Sequence, residues 1–487
     1  MFQRGVVFSE RHPLFFIGSA LWIGCCLPSN LACAPLLLLF IPLFGFPRAV
    51  LAYCLIACAF CSFSLRVSTP PKGCYDGTVE AEVLDRHLEQ RGQKPIWKIT
   101  LFIRGFWDQD GRRIAHGTRT IITAPSPCPI RGGCLYRVSA RAQVDESGHM
   151  RLFPHWAEPI EQLSSTVSSV EWRVSMRRKM ERRLALLFKE SDIRFLAGAM
   201  TCGLYRASYM QSSLNRVGLG HLLAISGFHF GCIVALVLFF SRRLSTQTQC
   251  LFSLVCMLFY FFLVGPSASV VRALCAATLL LLSKVMYRKS SGINSLGLGL
   301  IVILTLDPAA ALQTGFHLSF LATLTLLLYS PSLQKGLQNL FTQRSIEEVS
   351  SFSWTDQIFT GILHRCMPVL SILLPVWGVV ALYQLVFFQE CSLLGLLYNL
   401  ALPLILSLAI PFVFFSLFPI PIVSNLFATI ASIPLKVGLC IINGAPSVGT
   451  IEVASFPILL AYLFFIVIIV GGIFLYQEQS DGWKACL

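Results

Sequence analysis

Charge is scarce in this sequence, and acid is scarcer than base. Only 13% of the 487 residues are Asp, Glu, Lys or Arg, against 55% that are hydrophobic. Soluble domains carry roughly a quarter charged residues, so a chain this poor in charge cannot be water-soluble throughout. Catalytic signatures are scarce as well. No Gly-x-x-x-x-Gly-Lys-[Ser/Thr] segment occurs, which excludes ATP hydrolysis on a phosphate-cradling loop of that kind. The nine histidines never fall into a His-x-His-x-Asp-His cluster, which excludes a two-metal hydrolytic centre of that design. No metal, no cofactor and no catalytic residue is therefore expected.

What the chain has in abundance is long apolar runs, with a mean hydropathy of +0.70. They define a polytopic α-helical membrane protein. Residues 1–66 hold three runs, Leu14–Leu27, Leu31–Phe46 and Ala49–Leu65, broken at Pro28-Ser29-Asn30 and Pro47-Arg48. The first two fall short of the ~20 residues a span usually needs, so three spans and a re-entrant pair with one span both stay open. With three spans, Arg4, Arg11 and Arg48 share the cytoplasmic side and the chain after Leu65 lies outside. The 18 cysteines sit largely inside apolar runs, where the thiol behaves as a small hydrophobe.

Residues 67–161 differ sharply. Apolar runs vanish and residues alternate in Gly77–Leu84, Pro95–Ile103, Thr118–Thr123, Tyr136–Val144 and His149–Phe153. About five short strands between Gly, Asp, Pro and Ser turns suit a small β-barrel, and the OB-fold is the commonest of these. Such folds hold single strands with a basic groove and stacking rings. The candidates are Trp97, Phe102, Tyr136 and Phe153 with Lys98, Arg104, Arg137 and Arg141. Acidic residues from Asp76 to Glu89 offset part of that charge, so a purely structural barrel competes with a binding one. Cys128 and Cys134 flank a Pro-Ile-Arg-Gly-Gly turn able to bring them into a disulfide, with Cys74 as the rival partner.

Residues 162–216 form a basic amphipathic connector. Trp172, Met176, Met180, Leu184 and Phe188 recur every four residues, backed by Arg173, Arg177, Arg178, Lys179, Arg182 and Arg183. Such a helix either lies on anionic headgroups or lines the approach of a polyanion. Under the three-span topology it lies outside, where the positive-inside rule does not demand its charge.

From 217 to 478 apolar runs follow in quick succession, ahead of a polar tail, 479–487. The basic loops Arg242/Arg243, Arg288/Lys289 and 330–368 fall on alternate crossings and come out cytoplasmic if the 217–240 run enters from outside. That agrees with an extracytoplasmic β domain. Prolines 403, 411, 419 and 421 mark kinked or split helices. Two features stand out inside this core. Arg216–Gly231 combines apolar character with four glycines, His221, Ser226 and His229, a mixture that implies a broken or tightly packed helix facing protein or a water-filled path. Arg272 sits within an apolar run, where a charge needs a partner or water. Asp307 and Glu390 are candidate partners, which would make it a structural ion pair; a phosphate contact is the competing reading. His317 and Asn399 are polar groups placed similarly, and hydrogen bonds between helices also explain them.

The motif Arg-Val-Gly-Leu-Gly-His-Leu-Leu-Ala-Ile-Ser-Gly-Phe-His (216–229) resembles the signature of the ComEC family of bacterial competence proteins. Blocks at Val264–Ala273, Asp307–Phe320 and Ser392–Pro403 resemble the family's further blocks in the right order. The resemblance implies an OB-like domain at 67–161 and a channel core at 217–478. It implies an inner-membrane channel component passing single-stranded DNA into the cytoplasm during natural transformation. His221, Ser226, Gly227, His229, Arg272, His317 and Asn399 would belong to the path, and Trp97, Lys98, Arg104, Arg137, Arg177, Arg178 and Arg182 would gather DNA. The DNA receptor, the helicase or motor and the nuclease would be separate proteins, because no metallo-β-lactamase-like segment follows the core. A homo-oligomer is left open. Two departures stand out: no acidic residue follows Gly203, and no proline occurs in Phe388–Ser392. Rival readings are an integral-membrane hydrolase using His221, Ser226 or His229, and a transporter of lipid or another polyanion.

Overall fold

Apolar runs fold as helices in lipid because each backbone N–H must find its acceptor within the segment. The structure, a computed structural model, describes residues 2–28, 46–68, 72–91, 94–126, 128, 130–144, 150–164, 169–203, 210, 212–214, 218–220, 227–340, 353–445, 450–452, 465 and 467–478. The N-terminal helices are α1 (Phe2–Arg11), α2 (Pro13–Cys26) and α3 (Phe46–Arg66). After a β domain come the connector helices α4 (Ser169–Leu187) and α5 (Ser191–Cys202). The core follows as α6 (Gly227–Phe240), α7 (Thr246–Val264), α8 (Ala268–Val285), α9 (Gly292–Leu306), α10 (Thr314–Leu340), α11 (Trp354–Phe387), α12 (Gly395–Ser416) and α13 (Pro421–Asn443), with α14 at Val467–Glu478. Among the described residues six helices are long and apolar enough to cross a membrane, namely α7, α8, α10, α11, α12 and α13. The second N-terminal run, Leu31–Phe46, lies almost wholly outside the described residues.

Small residues set the helix spacing where lipid supplies no hydrophobic drive. At the α2–α9 contact a Cβ on Gly297 would lie 2.2 Å from the Phe15 amide nitrogen. Only glycine lets those two backbones meet. The same face buries Phe15, Phe16, Leu296 and Leu300 in one cluster with α3 and α10. A second cluster joins α5, α12 and α13 through Leu196, Leu402, Leu406, Ala431 and Leu435. A third joins α6, α7 and α8. The proline-dense stretch is split between Ser416 and Pro421: α12 continues through Pro403 and Pro411 and ends at Ser416, and Pro421 opens α13. Proline at a first helical turn costs no hydrogen bond.

The β domain contains β1 (Gly73–Arg91), β2 (Lys94–Asp108), β3 (Arg113–Ala115), β4 (Arg119–Pro125), β5 (Leu135–Val144), β6 (Met150–Pro154) and β7 (Glu161–Ser164). Strand pairing runs β3-β2-β1-β5-β6, with β4 also on β2 and β7 on β5. The alternation seen in sequence is the inside–outside pattern of the sheet: β4 buries Thr120, Ile122 and Ala124 and exposes the residues between them. The β domain is present as an antiparallel sheet, open among the described residues. Thr120 Oγ1 donates to Met150 O at 2.8 Å, so β4 and β6 touch, with no ladder between them among those residues.

The connector helix α4 ties this domain to the bundle, and its arginines supply the ties. Skipping of Leu84 in the β1–β2 register leaves a bulge between Val83 and Asp85. Arg173 donates to the freed Leu84 carbonyl at 2.8 Å. Arg177 donates to the carbonyls of Leu263 (3.0 Å) and Val264 at the end of α7, and to Asp85 at 3.0 Å. Last-turn carbonyls of a helix lack partners and carry partial negative charge, so a guanidinium there is favourable. Gly265, at φ +90°, takes a backbone conformation that favours glycine, and a Cβ there would lie 3.3 Å from Arg173 Nη1. On the far side of the domain, Arg119 pairs with Asp307 at 2.8 Å, at the end of α9. The β domain therefore sits at the end of the bundle where α7 and α9 finish. The basic loops Arg242/Arg243 and Arg288/Lys289 lie at the opposite ends of α7, α8 and α9, about 25 Å away by helical rise.

Candidate functional site

A cavity of about 2490 Å³ opens between the β domain, α4 and the bundle. Its wall carries Arg86, Arg119, Arg173, Arg177, Arg178, Arg182, Arg194 and Arg272 against the carboxylates Asp85, Glu181 and Glu390. Deeper down it is lined by Ser319, Thr323, Gln384 and Asn399 among the apolar Leu318, Leu373, Val376 and Val380. A cleft with more cations than carboxylates and low-dielectric walls focuses a positive potential.

The β-domain residues expected to gather a strand are mostly spoken for. Trp97 borders the cavity but is only 7% exposed, with the guanidiniums of Arg86 and Arg178 4.9 Å and 4.5 Å from its ring centroid. Cations from its own chain already stack on the ring, so little of it is offered to a base. Arg86 in turn bonds Glu171 and donates to Ile130 O at 2.6 Å. The second Glu171 oxygen accepts from the Gly132 amide at 2.9 Å. Arg104 pairs with Glu82 at 2.6 Å, Arg137 with Glu80 and Glu161, and Arg141 with Asp76. Those acidic residues hold the outer arginines on the sheet surface, and the Arg141 hydrogen bond holds the Asp76 carboxyl below its usual range. Tyr136 is buried, its hydroxyl accepting from the Arg131 amide. Lys98 is half-buried, and neither it, Arg104 nor Arg137 lines the cavity.

On α4 the expected solvent face is partly an inner face. Arg173 and Arg177 are buried, and burial pushes the Arg173 guanidinium below its ordinary range, with Asp85 opposing. Arg177 is thus a strut between β1 and α7. Arg178, half-buried, and the exposed Arg182 share the cavity wall with Arg173 and Arg177. Burial, then the neighbouring Arg86 charge, lowers the Arg178 guanidinium.

Within the bundle, Arg272 lines the cavity. Neither carboxylate considered as its partner pairs with it: Asp307 takes Arg119, and Arg272 donates through Nε to Ser319 Oγ at 3.0 Å. Gly227 borders that guanidinium, with a Cβ there falling 3.3 Å from Nη2. Asn399 lines the cavity while its amide donates to Gly395 O at 2.7 Å. His317 is a core residue instead: its ring nitrogens reach Ala311 O and the Tyr383 hydroxyl, and Trp22 and Phe316 flank it. His229 is buried in α6 and lies off the cavity wall. His221 and Ser226 lie outside the described residues.

Cys74, Cys128 and Cys134 are free thiols, so the expected bridge is not made. Cys134 is buried with Sγ directed to Gly132 O at 3.9 Å, back along its own turn. Burial raises the Cys128 thiol. Sequence reasoning missed Arg86, Arg119, Glu171 and Ser319, and the separations involved (85 residues for Arg86–Glu171, 47 for Arg272–Ser319) leave no local signal.

Fold and site together define a multi-pass membrane protein with a β domain seated over an arginine-walled cavity. A family model described as Competence protein matches residues 206–478, and the chain belongs to that family. ComE operon protein 3 of Bacillus subtilis (strain 168) is 30% identical over 142 residues, which is 28% of this chain and 18% of that protein. The match therefore spans less than a fifth of that relative's length. No solved structure matches.

Proposed function

We propose that this chain is a DNA-uptake channel component of the bacterial inner membrane that passes a single strand into the cytoplasm during transformation. The observation that carries the reading is the continuous wall from Arg178 and Arg182 above to Arg272 within the bundle, around one cavity of about 2490 Å³. Membership of the competence family supports the substrate. Basic residues in a cleft attract a polyanion in proportion to the counterions they release. In this reading the β domain is extracytoplasmic, since the loops with Arg242/Arg243 and Arg288/Lys289 lie at the other end of the helices and basic loops stay cytoplasmic. Its five main strands, with β4 drawn against β6, form an OB-like barrel left open at one seam. It acts as a lid and an entry wall more than as a stacking platform, because Trp97 is already covered. The DNA receptor and the motor act as separate partners. The test is uptake of labelled DNA in cells carrying Arg272→Ala or Arg182→Ala at normal protein level. Uptake should fall in both. Wild-type uptake in both variants overturns the path.

A further inference from the structure

Arg272 poses a problem that its own protein does not solve. Arginine stays charged under all ordinary conditions, and a charge away from bulk water needs a counter-charge or water to be tolerated. Among the described residues it forms no ion pair, and its one protein hydrogen bond is Nε to Ser319 Oγ at 3.0 Å. The two Nη groups have no acceptor among the described residues, in a residue that lines the cavity. Gly227 leaves Nη2 room, because a Cβ there would lie 3.3 Å from it. Ser319 accepts the Nε proton, so its own hydroxyl proton is available to donate outward. A guanidinium with a serine hydroxyl 3.0 Å from its Nε offers several N–H donors and one O–H donor side by side on the cavity wall, a set that suits the several oxygens of phosphate better than a spherical halide. The position is about 7 Å down α8 from Ser267, at ~1.5 Å per residue, below the mouth of the cavity.

We propose that Arg272 and Ser319 form a phosphate-group site in the bundle, filled by a small inorganic oxyanion when no strand is present. A strand phosphodiester then displaces that ion, a step that rests on the cavity being the strand's path. The resting ion would keep the guanidinium neutralised and the cavity open, so that an incoming phosphate exchanges with an anion already in place.

The experiment uses the full chain in phosphate-free detergent. Thermal unfolding is followed by tryptophan fluorescence while inorganic phosphate replaces chloride at constant ionic strength. A saturable rise in the midpoint is expected. Arg272→Gln should weaken the apparent phosphate affinity by about tenfold or more, the usual effect of losing a charged hydrogen-bond pair. Ser319→Ala, which removes one oxygen from a helix surface, should weaken it several-fold and keep the folded baseline. A short oligothymidylate titrated in parallel should compete with phosphate. No phosphate-specific shift, an equal shift in Arg272→Gln, or additive rather than competing shifts would each overturn the site. DNA uptake is measured separately: normal uptake by an Arg272→Gln protein that has lost its phosphate response would leave the site standing and remove it from the transport path.

Discussion

Replacing Asp85 by Asn tests whether α4 is a strut or a free basic ramp. The Asp85 carboxylate lies 3.0 Å from Arg177 Nη1 and 3.7 Å from Arg173 Nε, and both arginine side chains are at most 10% exposed. Deleting one member of a buried ion pair costs about 3–5 kcal/mol, because the other charge stays buried. Two features reduce that figure: Asp85 is 28% exposed, and the carbonyls of Leu84, Leu263 and Val264 still accept from the two guanidiniums. A loss of about 2–3 kcal/mol is expected from what remains. For 487 residues that corresponds to a fall in the unfolding midpoint of roughly 2–3 °C, with the β domain becoming open to limited proteolysis first. The assay is a double-mutant cycle with Arg177→Met in detergent. If Asp85 and Arg177 act as one unit, the double variant loses less than the two singles added together. Strict additivity, or a single-variant shift below about 1 °C, would refute the strut. By contrast, Arg104→Ala removes only an exposed pair with Glu82 and should leave the midpoint unmoved.

Gly297→Ala should destabilise by about 1–3 kcal/mol, because its new methyl meets the Phe15 backbone and neither helix can yield. Gly231→Ala meets nothing within 4 Å and should be neutral or mildly stabilising, so equal midpoints for the pair would refute the α2–α9 contact. Burial raises the Asp307 carboxyl above its usual range, with Arg119 opposing. A carboxyl raised on folding contributes stability below its ordinary pKa and loses it as pH climbs through the raised value. The midpoint of Asp307→Asn minus that of wild type should therefore be more favourable at pH 7 than at pH 4, and a flat difference would sink the assignment. A membrane-impermeant maleimide applied outside intact cells should label the exposed Cys74 and spare the buried Cys134 until unfolding. Labelling of Cys74 only after lysis would place the β domain inside, and a mapped Cys128–Cys134 bridge would refute the buried free thiol.

Several elements were legible because their signal is local. The apolar runs at 14–27, 250–265, 267–286, 293–306, 391–418 and 421–446 marked α2, α7, α8, α9, α12 and α13 within a few residues, since a span in lipid must satisfy its own backbone. Helices α10 and α11 extend beyond the runs at 314–329 and 369–388, to Leu340 and back to Trp354, because once nucleated a helix continues into polar residues at little cost. Alternation marked β1, β2, β4, β5 and β6, since a half-buried sheet demands period two. It missed β3 and β7, which are three and four residues long and too short to show a period.

The sequence by itself determined a multi-pass helical protein with an inserted β domain, a basic connector and one arginine deep in an apolar run. Only the tertiary structure decided what each arginine does. Arg173 and Arg177 look like Arg178 and Arg182 along the chain, and all four border the cavity, yet the first two are buried against Asp85 and the end of α7 while Arg178 is half-buried and Arg182 is exposed. The physical reason is that a guanidinium's role depends on which acceptor reaches it. For Arg177 those acceptors come from 86 to 92 residues away, a distance no periodicity records.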